Sequence, residues 1–87
     1  MGLGKGRVRM IKQVTLLTRV SCHLCDTARA EVLAATAAAG ADWSEIDVDT
    51  APELRAEYGD RVPVVLVDGV EHAHFVVDRR TLRAALA

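Results

Sequence analysis

The sequence predicts an α/β domain in which three helices flank a four-stranded mixed sheet, in the order β-α-β-α-β-β-α. Three observations lead to this prediction. Apolar, β-branched segments alternate with helical patterns, a helix joins the first two strands, and the turn pair Asp68-Gly69 joins the last two. A right-handed crossover through a helix makes its strands parallel, whereas a two-residue turn makes them antiparallel. The domain is predicted over residues 12–87.

The first strand is predicted over Gln13–Thr18, because QVTLLT is β-branched and apolar without a breaker. Such a run is typical of a strand buried on both faces. A helix is predicted over Cys22–Ala39, with Ser21 as its N-cap and Gly40 at its end. Small and apolar residues recur there at helical spacing and form one stripe. The stripe consists of Leu24, Ala28, Val32, Ala35 and Ala39.

A second strand is predicted over Trp43–Val48, with Trp43 partly buried against the core. A short helix is predicted over Asp49–Gly59, where Thr50 and Glu53 have capping-box spacing. Pro52 lies in its first turn, where a missing N–H costs little. Tyr58, near the end of this helix, is predicted to pack against the core.

The third and fourth strands are predicted over Val62–Val67 and Val70–Val77. Alternation along the fourth strand predicts a core-facing side and a solvent-facing side. The core-facing set is Ala73, Phe75 and Val77, and the solvent-facing set is His72 and His74. Asp78 is predicted to cap a last helix that carries Leu82 and Leu86 four residues apart.

The composition excludes several classes of protein. The chain has 87 residues, 51% of them hydrophobic, which is too apolar for a disordered segment and short enough for one domain. The net charge of -1 gives no electrostatic reason to expect a nucleic-acid partner. Residues 1–11 carry three basic residues and no acid, and we predict a flexible basic tail there. We find neither a secretory signal nor a membrane span, and therefore expect a cytoplasmic, monomeric protein.

Two cysteines are too few for a secreted disulfide framework, so their position carries the information. The motif Cys22-His23-Leu24-Cys25 lies where the first strand meets the first helix. The free N–H groups and the dipole of a helix N-terminus favour a thiolate there. We predict that Cys22 is the exposed nucleophile and that Cys25, one turn inside, is the resolving cysteine. Arg19 and His23 are close enough in sequence to add positive charge.

Other interpretations of the cysteine pair stay open. Half of a zinc site is one, but the second pair of ligands is missing, and we predict no metal site. An iron–sulfur cluster shared between two chains needs fewer cysteines from each chain. A non-catalytic binding module is thus the alternative to an enzyme, as a metal or iron–sulfur carrier or as a protein-interaction adaptor.

Val62-Pro63 is the second informative motif, because proline removes a ladder hydrogen bond at the start of a central strand. A proline is tolerated at this position when its peptide bond is cis and the backbone turns sharply. Beside the cysteine motif, such a turn presents the backbone of Val62 to an extended substrate, in the manner of β-augmentation.

At these residues the chain resembles the thioredoxin-fold redoxins, and the glutaredoxins in particular. LLTRVSCHLC is similar to the glutaredoxin active-site stretch, with Thr18, Arg19 and the two cysteines in matching positions. RVPVVLVDG resembles the T-V-P strand of that family, so Pro63 matches its cis-proline. The resemblance extends from Gln13 onward and implies a glutaredoxin-like thiol–disulfide oxidoreductase that reduces protein or small-molecule disulfides.

The chain departs from the glutaredoxin pattern where glutathione binds. Glutaredoxins carry a glycine pair and an acidic residue before the last helix, whereas this chain reads HFVVDRRTL, with only Asp78 as the acid. The pattern is more similar to small bacterial glutaredoxin-like proteins of unassigned function. The expected substrate-binding residues are Arg19, His23, Arg61, Val62, Pro63 and Asp78. The resemblance implies no bound cofactor, and it leaves glutathione or a flavin-dependent reductase as the reducing partner.

Overall fold

The computed structural model describes residues 11–87, so residues 1–10 of the predicted basic tail lie outside the described residues. The order of elements is β-α-β-α-β-β-α, as the sequence predicts. The elements are β1 (Gln13–Thr18), α1 (His23–Ala39), β2 (Asp42–Asp47), α2 (Pro52–Tyr58), β3 (Val64–Val67), β4 (Val70–His74) and α3 (Arg79–Leu86). A 3-10 turn, Val48–Thr50, separates β2 from α2.

The four strands form one mixed sheet in the order β2-β1-β3-β4. β1 pairs with β2 in parallel and with β3 antiparallel, and β3 and β4 form an antiparallel hairpin. The predicted fold class is therefore confirmed. β1 is a central strand with four of its six residues buried, in agreement with the predicted burial on both faces.

A hydrophobic core covers each face of the sheet, because neighbouring strand residues point to opposite sides. α1 and α3 cover the larger core. Its buried members are Val14, Leu16, Ala28, Val32, Ala35, Val65, Val77, Leu82 and Leu86, with Trp43 packed against them. The smaller core lies on the α2 side. It consists of Leu17, Val48, Val64 and Leu66, with Tyr58 among the residues packed against it.

The structure corrects the prediction for three helical features. The N-cap of α1 is Cys22, because Ser21 adopts a left-handed backbone with φ 62° instead of the extended conformation that a cap needs. α2 begins at Pro52 after Ala51, which makes no side-chain cap bond, so the predicted capping box of Thr50 and Glu53 is wrong. The hydroxyl of Thr50 instead donates to the Asp47 carbonyl in the 3-10 turn. In α1, Cys25 and Thr36 are buried, whereas Leu24 and Ala39 of the predicted stripe are exposed.

The fourth strand ends earlier than predicted. β4 stops at His74, and Phe75 takes a positive φ of 61°, which breaks the alternation. Phe75 is consequently 44% exposed, so its predicted place in the core is wrong, while Val77 is buried as predicted. β3 likewise begins at Val64, two residues after the predicted start.

Gly40 ends α1 as predicted, and its φ of 69° makes glycine the favoured residue there. We expect Gly40→Ala to lower the free energy of unfolding by about 1 kcal/mol, because a side chain is strained in the left-handed region. A Cβ at this position would meet no atom within 4 Å, so the loss reports backbone strain alone. Urea unfolding measures it. Gly40→Asn is the control, since asparagine tolerates this conformation better, and an equal loss in both variants would contradict the interpretation.

Candidate functional site

Cys22 and Cys25 lie at the N-terminus of α1 and form a disulfide with a Cα–Cα distance of 5.3 Å. Cys22 is the N-cap residue, and its Sγ lies 3.2 Å from the backbone N of Cys25, which donates to it. The N–H of Cys25 thus points toward the sulfur of Cys22, and a helix N-terminus stabilises negative charge at such a position.

The two cysteines differ in burial, as the sequence predicts. Cys25 is 1% exposed and packs inside the first turn of α1, whereas Cys22 is only half-buried. A disulfide partner that approaches from solvent therefore meets the sulfur of Cys22 first. This asymmetry is the geometry that a nucleophilic and a resolving cysteine require.

Val62 and Pro63 lie at the same end of the sheet as the cysteine pair. Leu17 of β1 is paired with Val64 of β3, so continuing the antiparallel register places Thr18 opposite Pro63. The Val62–Pro63 peptide bond is cis, and Pro63 is buried. Within residues 11–87 the N–H and C=O of Val62 have no hydrogen-bond partner, so both remain available to an extended chain.

A groove of about 550 Å³ lies beside Cys22, on the β2 side of the site. Its charged lining consists of Arg19, Asp26, Arg29, Glu45 and Asp47. Carboxylates thus outnumber guanidinium groups in the groove. We expect the electrostatic potential at the groove to be unfavourable for anions.

Arg29 and Glu45 connect α1 to β2 at the base of this groove. The Nε and Nη2 of Arg29 donate to both oxygens of Glu45 at 2.7 Å, and the Thr18 hydroxyl donates to Glu45 at 2.9 Å. The hydrogen bonds from Arg29 hold the pKa of Glu45 below its ordinary value, while partial burial opposes them and the bond from Thr18 adds to the lowering. Sequence reasoning missed this pair, although Arg29 follows Cys25 by four residues and so shares its helix face.

Replacing Glu45 with glutamine is expected to lower the free energy of unfolding by about 1 kcal/mol at neutral pH, because the charged bonds to Arg29 are lost. The pKa of Glu45 is lowered in the folded chain. The contribution of ionised Glu45 to the free energy of unfolding is therefore fully present above the pKa of the unfolded chain, about 4.3. It is lost as the pH falls through the lower pKa of the folded chain. Urea unfolding at neutral pH and near pH 3 measures the difference, which should shrink in acid.

Glu57→Gln is the matched control for this variant, because the Glu57 side chain is exposed and makes no hydrogen bond within the described residues. It should change the free energy of unfolding little at either pH. A loss for Glu45→Gln that is equally large in acid would show that the ionised carboxylate does not carry the effect.

Two of the predicted substrate-binding residues line the groove. His23, the first residue of α1, is exposed there. Arg19 lines it too, but its guanidinium is held by both oxygens of Asp49, at 3.1 and 3.0 Å, and by the Gly59 carbonyl at 3.3 Å.

The predicted substrate-binding residues Arg61 and Asp78 do not line the groove. Arg61 donates to Glu71 at 3.1 Å and to the Glu57 carbonyl at 3.1 Å, and it stacks over the ring of Tyr58. Asp78 caps α3 by accepting from the Thr81 N–H at 3.1 Å. The binding roles of these residues stay predictions.

Two findings concern metals and membranes. In residues 11–87 no group of three or more His, Cys, Asp or Glu side chains is arranged to hold a metal ion. The same part of the chain has no helix that is long and apolar enough to cross a membrane.

Comparison with known structures agrees with this architecture. A protein of Nitrosomonas europaea superposes with a TM-score of 0.78 at 24% identity, covering 92% of this chain and 96% of its own. A protein of X. campestris is 34% identical, with a TM-score of 0.61 over 84% of this chain and 93% of its own. A mutant thioredoxin of Halobacterium salinarum superposes with a TM-score of 0.66 at 24% identity, over 86% of this chain and 71% of its own, so the fold is thioredoxin-like.

The sequence comparisons give the family. An uncharacterized protein of Mycobacterium tuberculosis is 46% identical over 80 residues, which span 86% of this chain and 82% of the relative. Residues 13–87 match the family described as Glutaredoxin-like domain (DUF836). The thioredoxin-like fold and the disulfide-forming pair Cys22 and Cys25 together support a redox function. The chain belongs to the glutaredoxin-like domain family.

Proposed function

We propose that this protein is a thiol–disulfide oxidoreductase in which Cys22 attacks the substrate disulfide and Cys25 resolves the intermediate. The observation that carries the proposal is the placement of Cys22. Cys22 is half-buried, and its Sγ caps α1 by accepting the Cys25 N–H, while its disulfide partner is 1% exposed. A thiolate at such a position is stabilised by the helix N-terminus and remains open to attack on a partner.

The reaction has two exchange steps. The Cys22 thiolate attacks one sulfur of the substrate disulfide, forms a mixed disulfide, and releases the other substrate sulfur as a thiolate that takes a proton from water. The Cys25 thiolate then attacks the Cys22 sulfur. This step forms the Cys22–Cys25 disulfide and releases the second substrate thiolate. The protein dithiol loses two electrons, and the substrate disulfide gains them.

A second thiol donor must return the oxidised pair to the dithiol. Two molecules of glutathione, or the dithiol of a flavin-dependent reductase, would supply the two electrons. Reduction of this kind requires a reducing compartment, so a cytoplasmic location is part of the proposal.

Substrate binding is proposed at the end of the sheet that holds the cysteine motif. The free N–H and C=O of Val62 would pair with an extended segment of the substrate, as a strand adds to a sheet edge. Pro63 would hold that backbone opposite the end of β1. Arg19, His23, Arg61 and Asp78 are the remaining candidates for substrate contacts.

Reduction of bis(2-hydroxyethyl) disulfide by the purified dithiol protein tests the proposal. With dithiothreitol as the recycling reductant, wild-type protein should accelerate the formation of 2-mercaptoethanol, separated by chromatography, above the uncatalysed rate. Cys22→Ser should return the rate to that background, because no nucleophilic sulfur remains exposed. Equal rates for wild type and Cys22→Ser would overturn the proposal.

The metal-carrier alternative has a separate test. Visible absorption and a bound-zinc assay on the purified protein should show neither a cluster nor stoichiometric zinc if the pair serves in disulfide exchange. Stoichiometric metal that is lost in Cys22→Ser would favour the carrier instead.

A further inference from the structure

Four large hydrophobic side chains are exposed near the end of the sheet that holds the redox pair, and we call them the apolar rim. They are Val20, Leu24, Phe75 and Val76, with exposed fractions of 78%, 48%, 44% and 75%. A cluster of exposed apolar side chains beside a reactive centre is typical of a surface that another molecule covers.

The topology brings these residues to one end of the sheet. Val20 follows β1 and lines the groove beside Cys22, and Leu24 lies between the two cysteines in the first turn of α1. Phe75 follows β4 and donates its backbone N–H to the Pro63 carbonyl at 2.8 Å. The apolar rim therefore flanks both the cysteine motif and the free backbone of Val62.

The conformation of Phe75 does not arise from core packing. Its φ of 61° is unfavourable for a bulky side chain, and the ring gains no full burial in return. The ring is held edge-on against His74, with 4.9 Å between the ring centroids. A strained residue that keeps an aromatic ring in solvent suggests a contact made with a partner.

The two arginines predicted to bind substrate are poorly placed to hold an anionic ligand. Glutathione carries two carboxylates, and its recognition needs unpaired cations. Arg19 already binds Asp49 through two hydrogen bonds, and Arg61 already binds Glu71. Carboxylates also outnumber guanidinium groups in the groove beside Cys22.

We propose that the substrate is a polypeptide disulfide whose reacting cysteine is flanked by uncharged apolar residues, which pack on the apolar rim. This inference rests on the proposed function and specifies its substrate class. An extended segment that pairs with the backbone of Val62 would place alternate side chains toward Phe75 and Val76. Contact with them would exclude water around the exchanging sulfurs.

Two peptide disulfides of equal length test the inference, one with leucine and valine around the cysteine and one with glutamate. Formation of the reduced peptide with dithiothreitol recycling, followed by chromatography, gives kcat/KM for each, and glutathione disulfide is the third substrate. We expect the apolar peptide to be reduced with a kcat/KM about tenfold higher than that of the acidic peptide or of glutathione disulfide, since apolar burial and charge both favour it.

The double variant Phe75→Gly, Val76→Ser should lower the ratio of kcat/KM between the apolar and acidic peptides about fivefold. Glycine suits the positive φ of Phe75, so the backbone is preserved. Val70→Ser is the matched control, because Val70 is 69% exposed at the opposite end of β4 and its loss should leave the ratio unchanged.

Equal rates with both peptides, a preference for glutathione disulfide, or an equal drop in the ratio for Val70→Ser would each overturn the inference. Failure of the proposed function would give a different result. If the protein is not an oxidoreductase, wild-type protein would reduce no substrate, including bis(2-hydroxyethyl) disulfide, faster than Cys22→Ser does.

Discussion

The Cys25→Ser variant is expected to accumulate a mixed disulfide between Cys22 and a substrate cysteine, while wild-type protein releases its substrate. Cys22 remains half-buried at the N-terminus of α1 and keeps the N–H of residue 25 within hydrogen-bond reach. Without the Cys25 thiolate, the second exchange step has no intramolecular nucleophile. Loss of that step converts a transient intermediate into a covalent product, which makes this one of the two largest effects that we predict.

A lysate supplies the substrates for this experiment. The reduced variant is incubated with it, free thiols are then blocked, and complexes are isolated without reductant and identified by mass spectrometry. Cys22→Ser is the control and should trap little, because Cys25 is 1% exposed and cannot easily reach a protein disulfide. Equal yields from the two variants would contradict the assignment of nucleophile and resolving cysteine.

Local patterns in the sequence were sufficient to predict the sheet. The run QVTLLT is rich in β-branched and apolar residues without a breaker, and β1 is indeed a central strand with neighbours on both sides. Asp68-Gly69 predicts a hairpin, and both residues adopt the positive φ that such a turn requires. The cysteine motif could be placed near a helix N-terminus for the same reason, since the stripe of small and apolar residues at helical spacing follows it directly.

The sequence could not predict contacts between distant residues. Arg19 is paired with Asp49 and Arg61 with Glu71, across separations of 30 and 10 residues, and no local pattern indicates either pair. Phe75 was misplaced because alternation predicts only the face of a residue that is still in the strand. Ser21 was misplaced because statistical cap preferences favour hydroxyl and carboxylate side chains, whereas here the Cys22 sulfur accepts the bond.

Replacing Leu82 with alanine is expected to lower the free energy of unfolding by about 2–5 kcal/mol. Leu82 is fully buried in the larger core, where α3 packs against α1 and the sheet. The loss is a large part of the total, because a domain of this size is stable by only about 5–10 kcal/mol. Urea unfolding followed by circular dichroism and by Trp43 fluorescence measures it.

Because α3 is short, its stability depends strongly on the packing of Leu82. The helix has eight residues and is too short to be stable alone, so it depends on Leu82 and Leu86 and on the pairing of Arg79 with Glu31 of α1. Leu33→Ala is the matched control, since Leu33 is 56% exposed on α1 and its truncation should cost less than about 1 kcal/mol. If both variants lost the same free energy, the stability of the domain would not depend on packing of α3. A selective loss for Leu82→Ala would show that the stability of the domain depends on packing of α3 in the core that it shares with α1 and the sheet.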